Sequence, residues 1–114
     1  MHDQIETVES GYEYLLAYAA QGKDTDETSG NAASEVRNRL SAMADAALSI
    51  ASMLEDDNST FKWVVVDDAR KAHAAISLVL EQKGISSEMV DNLNASIHLR
   101  ALLTDLFLLS EAKS

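Results

Sequence analysis

The sequence predicts an all-α fold, an antiparallel four-helix bundle whose helices run up, down, up and down along the chain. The chain has no proline, so no residue forces a break inside a long helix. Apolar residues recur at helical spacing in four segments, and only one connection between these segments is long. A length of 114 residues, 46% of them hydrophobic, is typical of one domain with one modest core. We therefore treat residues 1–114 as a single helical-bundle domain.

The first predicted helix covers residues 3–21, and Gly22 ends it. Its core-facing stripe consists of Ile5, Val8, Tyr12, Leu15, Leu16 and Ala19. Tyr14 and Tyr18 lie one turn apart and away from this stripe. Because tyrosine combines a large apolar area with a polar end, this pair predicts a contact with another protein.

The second and third predicted helices cover residues 32–54 and 60–83. The core stripe of the second helix consists of Val36, Leu40, Met43, Ala47, Ile50 and Leu54. The stripe of the third helix consists of Phe61, Val65, Ala69, Ala72, Ile76, Val79 and Leu80. Gly84 predicts a left-handed residue after the third helix, with Ile85 folding back onto it. The connection to the next helix is therefore tight.

The fourth predicted helix covers residues 86–112 and has two apolar stripes, where a surface helix should have one. The stripe expected to face the core consists of Val90, Leu93, Ile97, Ala101, Thr104 and Leu108, with Phe107 at its edge. The opposite stripe has coiled-coil spacing and consists of Leu99, Leu102, Leu106 and Leu109. Leaving four leucines in water is unfavourable, so we expect a two-fold homodimer that buries them through this helix.

The one long connection, residues 22–31, is polar, and we expect it to be mobile. In the pattern of a calcium-binding loop, Asp24, Asp26 and Thr28 of this segment fall at positions 1, 3 and 5. Glu35, which follows the segment, falls at position 12. Ser29 occupies the position where the sharp turn of such a loop needs glycine. We interpret the segment as an acidic, solvated loop, and whether it binds a cation stays open.

Two histidines are candidate metal ligands, because helical bundles often hold metals on facing helices. A di-iron bundle needs Glu-x-x-His pairs. Here Arg70 stands three residues before His73, and Ala95 stands three residues before His98. The spacing therefore predicts no metal and no cofactor.

A polar layer near the core stripes is the other candidate site. Asp68, Arg100 and Arg39 each lie beside the core stripe of their helix, and Thr104 is one turn from Arg100. Three interpretations remain open: a buried ion network, a polar ligand site, or salt bridges at the rim of the bundle.

The charge balance narrows the classes of partner. The formal net charge is −10, which argues against nucleic acid and anionic membranes and is compatible with a protein partner with a basic surface. The absence of cysteine excludes thiolate catalysis and disulfides and fits a reducing compartment. The apolar stretch 97–109 is too short to span a bilayer, and no secretory leader is evident, so we expect a cytoplasmic protein.

No nucleophile with a base and no phosphate-binding glycine loop is evident, so we do not expect an enzyme. The leading hypothesis is a non-enzymatic, acidic helical bundle that acts by protein–protein interaction, as an adaptor, a regulator or a chaperone-like protein. One alternative is a bundle that binds a small ligand or a metal. The other is an acidic inhibitor or immunity protein that covers a basic partner.

Overall fold

A computed structural model describes residues 1–20, 24–25, 31–56 and 60–113 of the chain. These residues form the helices α1 (His2–Ala20), α2 (Asn31–Leu54), α3 (Thr60–Leu80), α4 (Ser87–Ala95) and α5 (Ile97–Lys113). Two short strands, β1 (Asp24–Thr25) and β2 (Ile85–Ser86), pair antiparallel in a two-residue bridge. The predicted all-α fold class is confirmed. None of the described helices is long and apolar enough to cross a membrane.

Helix α2 packs between α1 and α3, while α5 packs mainly on α3 and α4 mainly on α1. Contacts between α1 and α2 join Tyr14 to Arg39, and a Cβ atom at Gly11 would overlap with the side chain of Met43. From the first of these contacts to the second, the residue number falls from 14 to 11 on α1 and rises from 39 to 43 on α2. The missing side chain of Gly11 therefore leaves room for the side chain of Met43, which a Cβ atom at position 11 would displace.

The core lies between these helices, and the helical period places most of it. All six predicted core residues of α2 are buried, from Val36 to Leu54. On α3, five of the seven predicted residues are buried, and Phe61 and Leu80 are partly buried. On α1, Val8 and Leu15 are buried, whereas Leu16, predicted to face the core, is exposed.

The fourth predicted helix is wrong as a single element, because the chain breaks it at Ser96. This residue has φ −62° and ψ 143°, an extended conformation, and its N–H donates to the carbonyls of Asn92 and Leu93. A helix turns by about 100° per residue, so one extended residue resets which side chains face the core. Serine in this conformation is typical of the residue that precedes a helix, and α5 begins immediately after it.

The turn between α3 and α4 differs in part from the prediction, because α3 ends at Leu80 rather than at residue 83. Ile85 is fully buried, and the Ser86 hydroxyl accepts a hydrogen bond from the Met89 N–H over 3.1 Å, which caps α4. Arg37 of α2 also holds this turn. Its guanidinium donates to the carbonyls of Leu80 at 3.1 Å, of Gln82 at 2.5 Å and of Lys83 at 2.6 Å.

Candidate interaction surface on α5

The outward side of α5 is the most apolar helix face that the described residues leave open. Ile97 is 74% exposed, Leu108 56% and Phe107 47%. Ala101 and Thr104 lie between Ile97 and Leu108 along the same side of the helix, Ala101 half-buried and Thr104 exposed. We call Ile97, Ala101, Thr104, Phe107 and Leu108 the α5 outer face.

Exposed apolar residues elsewhere are more dispersed. Across the described ranges, the exposed large hydrophobic side chains are Leu16, Leu48, Met53, Trp63, Leu78, Ile97, Phe107 and Leu108. Single exposed residues of this kind are ordinary on a protein surface. The α5 outer face differs because three of them share one short helix, and such a concentration is typical of an interaction site.

A shallow groove of about 520 Å³ runs along this helix. It is lined by Ile97, Arg100, Ala101, Thr104 and Asp105. Among these lining residues, Ala101 and Thr104 have small side chains, and Arg100 and Asp105 are charged. An apolar strip with polar edges matches the general composition of protein–protein contact surfaces.

The leucines predicted to form a dimer interface lie in the core instead. Leu99, Leu102 and Leu106 are fully buried, and Leu109 is half-buried. The predicted assignment of the two stripes of α5 is therefore wrong, and the two are exchanged. The cause is the extended Ser96, which rotates α5 relative to α4, so that Val90 and Leu93 stay buried while Ile97 turns outward. A serine inside a helical pattern was the one local signal for this break.

Tyr14 and Tyr18 are not an open surface either. Tyr18 is buried, and its hydroxyl donates to the Ile85 carbonyl over 2.9 Å. The Tyr14 ring is half-buried, with its centroid 6.3 Å from that of Tyr18, and the Arg39 guanidinium lies 4.8 Å above it. Burial raises the pKa of Tyr14, and the charge of Glu35 raises it further. The pair therefore links α1 to α2 and to the turn before α4.

Asp105 and Asp68 form a carboxyl pair between α5 and α3. Burial raises the pKa of Asp105 to about 7, and Asp68 contributes through a hydrogen bond and through charge repulsion. Two ionised carboxylates have no donor between them, so this hydrogen bond exists only while one of the two carries a proton. The enclosed Oδ2 of Asp105 has no hydrogen-bond partner among the described residues. The sequence reasoning singled out Asp68 but missed Asp105.

The rest of the predicted polar layer is not assembled. Arg100 and Thr104 are exposed, and the Thr104 hydroxyl donates to the Arg100 carbonyl of its own helix over 2.9 Å. Arg39 is exposed and lies over Tyr14, away from Asp68. A buried ion network that includes either arginine or Thr104 is therefore wrong, because all three side chains are exposed. Only Asp68 is partly buried, and its partner is Asp105 rather than an arginine.

Asn94 is a buried polar residue that sequence reasoning did not identify. It is almost completely enclosed on α4, and neither its Oδ1 nor its Nδ2 has a hydrogen-bond partner among the described residues. An unsatisfied buried amide costs about 1–3 kcal/mol. It lines neither of the two grooves described in this section, so we assign it no binding role.

Only some of the metal candidates lie within the described residues. Asp26, Thr28 and Ser29 of the calcium-loop hypothesis lie outside the described residues, and Glu35 is exposed on α2. Within the ranges that the structure describes, no group of three or more histidine and carboxylate side chains could hold a metal ion. Nδ1 of His73 lies 3.0 Å from the carbonyl oxygen of Ala44, which makes it a hydrogen-bond donor that joins α3 to α2.

A second groove, of about 400 Å³, lies where α2 ends and α3 begins. Trp63 and Val66 line it together with four charged residues, and Arg70 forms an ion pair with Glu55 there over 3.1 Å. The charges of this groove are thus partly neutralised within the chain. We regard it as a weaker candidate than the α5 outer face.

No protein-family model matches the chain, and no curated protein or solved structure matches it at a significant level.

Proposed function

We propose that this chain is a non-enzymatic protein-binding module that acts as an adaptor, a regulator or a chaperone-like protein. In this proposal it is a four-helix bundle of the antiparallel, up-down-up-down kind, with α4 and α5 together in the fourth position. The observation that carries the proposal is the α5 outer face. Helix α5 is apolar on two sides, and among the described residues the covered side is that of Leu99, Leu102 and Leu106.

The energetics of the α5 outer face support a partner. Covering an exposed Leu, Ile or Phe side chain contributes about 1.5–3 kcal/mol, so Ile97, Phe107 and Leu108 together offer a substantial driving force. Ala101 and Thr104 lie between them and are small enough to let a partner helix approach closely. Arg100 and Asp105 border the groove and supply polar contacts at its rim.

The absence of cysteine accords with a cytoplasmic setting, where thiols stay reduced and disulfides do not form. We place the module there as part of the proposal. The proposed function requires no cofactor.

The experiment that tests the proposal is photo-cross-linking in cells. A photoreactive amino acid is placed at position 97 in one variant and at position 48 in a matched control, since Leu48 is an exposed residue of α2. We expect a discrete protein adduct from position 97 that position 48 does not give. If both positions give the same adducts, or position 97 gives none, the α5 outer face is not a binding surface.

The net charge of −10 favours a second candidate, an acidic inhibitor that covers a basic protein. The Asp68–Asp105 pair beside the α5 groove adds local negative charge once it is ionised. In this case the protein cross-linked from position 97 is basic, and raising the salt concentration weakens its capture. An uncharged partner captured equally well at high salt argues against the inhibitor function.

The small-ligand alternative has less support, because both grooves described above are open to solvent rather than enclosed. Native mass spectrometry of the protein purified from cells tests it directly. A bound mass retained by the native protein and lost on denaturation would favour this alternative.

A further inference from the structure

The α5 outer face has a regular internal arrangement. Ile97, Ala101, Thr104 and Leu108 follow one another at intervals of four, three and four residues. This is the spacing of the apolar seam in a coiled coil. The two large residues stand at the ends of the seam, and the two small ones stand between them.

We propose that the occupant of this face is a second copy of the chain, whose α5 packs antiparallel on the first. The proposal rests on the proposed function and names its partner. A two-fold axis midway between Leu102 and Leu103 brings Ile97 opposite Leu108 of the second copy. The same axis brings Ala101 opposite Thr104 of the second copy, so each layer of the contact joins residues of similar size.

The charges and the remaining aromatic ring fit the same arrangement. In an antiparallel pair of helices, residues that flank the seam on one side meet residues from the same side of the partner helix. Arg100 and Phe107 flank one side, so each guanidinium approaches the phenyl ring of the other copy, a favourable cation–π geometry. His98 and Asp105 flank the other side, so position 105 of each copy lies opposite position 98 of the other.

A parallel pair of α5 helices fits less well. It keeps Arg100 near Asp105 of the second copy, but it leaves the exposed Phe107 ring near Ala112. It also aligns the two helix dipoles side by side in the same direction, which is unfavourable, whereas an antiparallel pair lets the dipoles offset each other. The antiparallel pair uses all five residues of the α5 outer face.

Cross-linking through single cysteines tests the orientation, because the natural chain has no cysteine. We would prepare Ile97→Cys and Leu108→Cys separately, both at exposed positions. The cross-linker is a maleimide reagent too short to span the roughly 16 Å that separates the two positions along the helix. A mixture of the two variants should give a cross-linked dimer in high yield, while either variant alone should give little. Efficient cross-linking of Ile97→Cys alone overturns the antiparallel arrangement.

Sedimentation equilibrium tests the association itself. We expect the wild type, with a chain mass of 12.4 kDa, to sediment at twice that mass in the micromolar range. The double variant Ile97→Asp/Leu108→Asp should raise the dissociation constant of the dimer by on the order of 100-fold or more. Leu48→Asp, the matched control on α2, should leave the dimer intact. Circular dichroism confirms that each variant keeps its helical content.

The outcomes separate this inference from the proposed function. A wild type that is monomeric at all concentrations, or a double variant that stays dimeric, overturns pairing through α5. If the monomeric protein still cross-links to a different protein from position 97 in cells, the proposed function stands and the second copy does not. If it cross-links to nothing, both fail.

Discussion

Ile97 and Leu99 stand two positions apart on α5, yet the first is 74% exposed and the second is 1% exposed. Residues two apart on a helix lie on nearly opposite sides, so only one of them can face the core. Ser96, extended immediately before Ile97, decides which one does. This relationship determines which residues hold the protein together and which remain available to a partner.

The exchange of stripes on α5 predicts opposite effects of two leucine truncations. Leu102→Ala should lower the free energy of unfolding by about 2–5 kcal/mol, because Leu102 is fully buried and its truncation leaves a cavity. Leu108→Ala should change it by less than about 0.5 kcal/mol, because Leu108 is 56% exposed. Chemical denaturation in dilute solution, where association does not contribute, measures both. If Leu108→Ala were the more destabilising of the two, the stripe assignment expected from the sequence would be correct instead.

The close approach at Gly11 predicts that Gly11→Ala is destabilising, although alanine is the better helix former by about 1 kcal/mol. The added methyl group overlaps with Cγ and Sδ of the buried Met43, and overpacking of this kind costs about 1–3 kcal/mol. The same substitution made in a Met43→Ala background should become stabilising. A thermal-denaturation double-mutant cycle measures the coupling, and additive effects would show that the two residues do not collide.

The hydrogen bonds that Arg37 donates at the end of α3 should stabilise the folded chain. Arg37→Lys retains the charge but replaces the two donor nitrogens of the planar guanidinium by a single ammonium nitrogen, so we expect a loss of about 1–2 kcal/mol. Arg39→Lys is the matched control, because it keeps a cation near Tyr14 and should cost less than about 0.5 kcal/mol. Urea denaturation compares the two variants. Equal losses would mean that the fork of Arg37 contributes nothing specific.

The protonation of Asp105 should make the free energy of unfolding depend on pH. Its pKa is about 7 in the folded chain, against a usual value of 3.8, so the folded state binds this proton more tightly. The contribution of Asp105 therefore favours folding at low pH and is lost as the pH rises from about 4 to about 7. Asp105→Asn, which mimics the neutral carboxyl group, should raise the melting temperature at pH 8 and have little effect at pH 4.

The exposed residue Asp45 provides the control for this measurement. Asp45→Asn changes the net charge of the chain equally, but its effect should be small at both pH values. If Asp105→Asn behaves like Asp45→Asn, the pairing of Asp105 with Asp68 does not affect stability.

Local sequence determined most of the helical architecture. The period of apolar residues on α2 placed all six predicted core residues correctly, because a long helix without glycine or proline has only one way to bury such a stripe. The Ser86 hydroxyl caps α4, which is typical of a serine that immediately precedes a helix. These features depend on interactions within a few residues of one another.

The candidate binding surface was decided by tertiary structure. Either stripe of α5 is apolar enough to enter a core, and periodicity alone cannot choose between two such stripes. The choice depends on the orientation in which α5 leaves Ser96 and meets α3. The contact of Arg37 with the end of α3 and that of Asp105 with Asp68 likewise join residues far apart in the chain. The sequence by itself thus determined that this is a helical protein and that one of its helices has two apolar faces. The packing of the helices determined which of the two faces lies in the core and which is exposed.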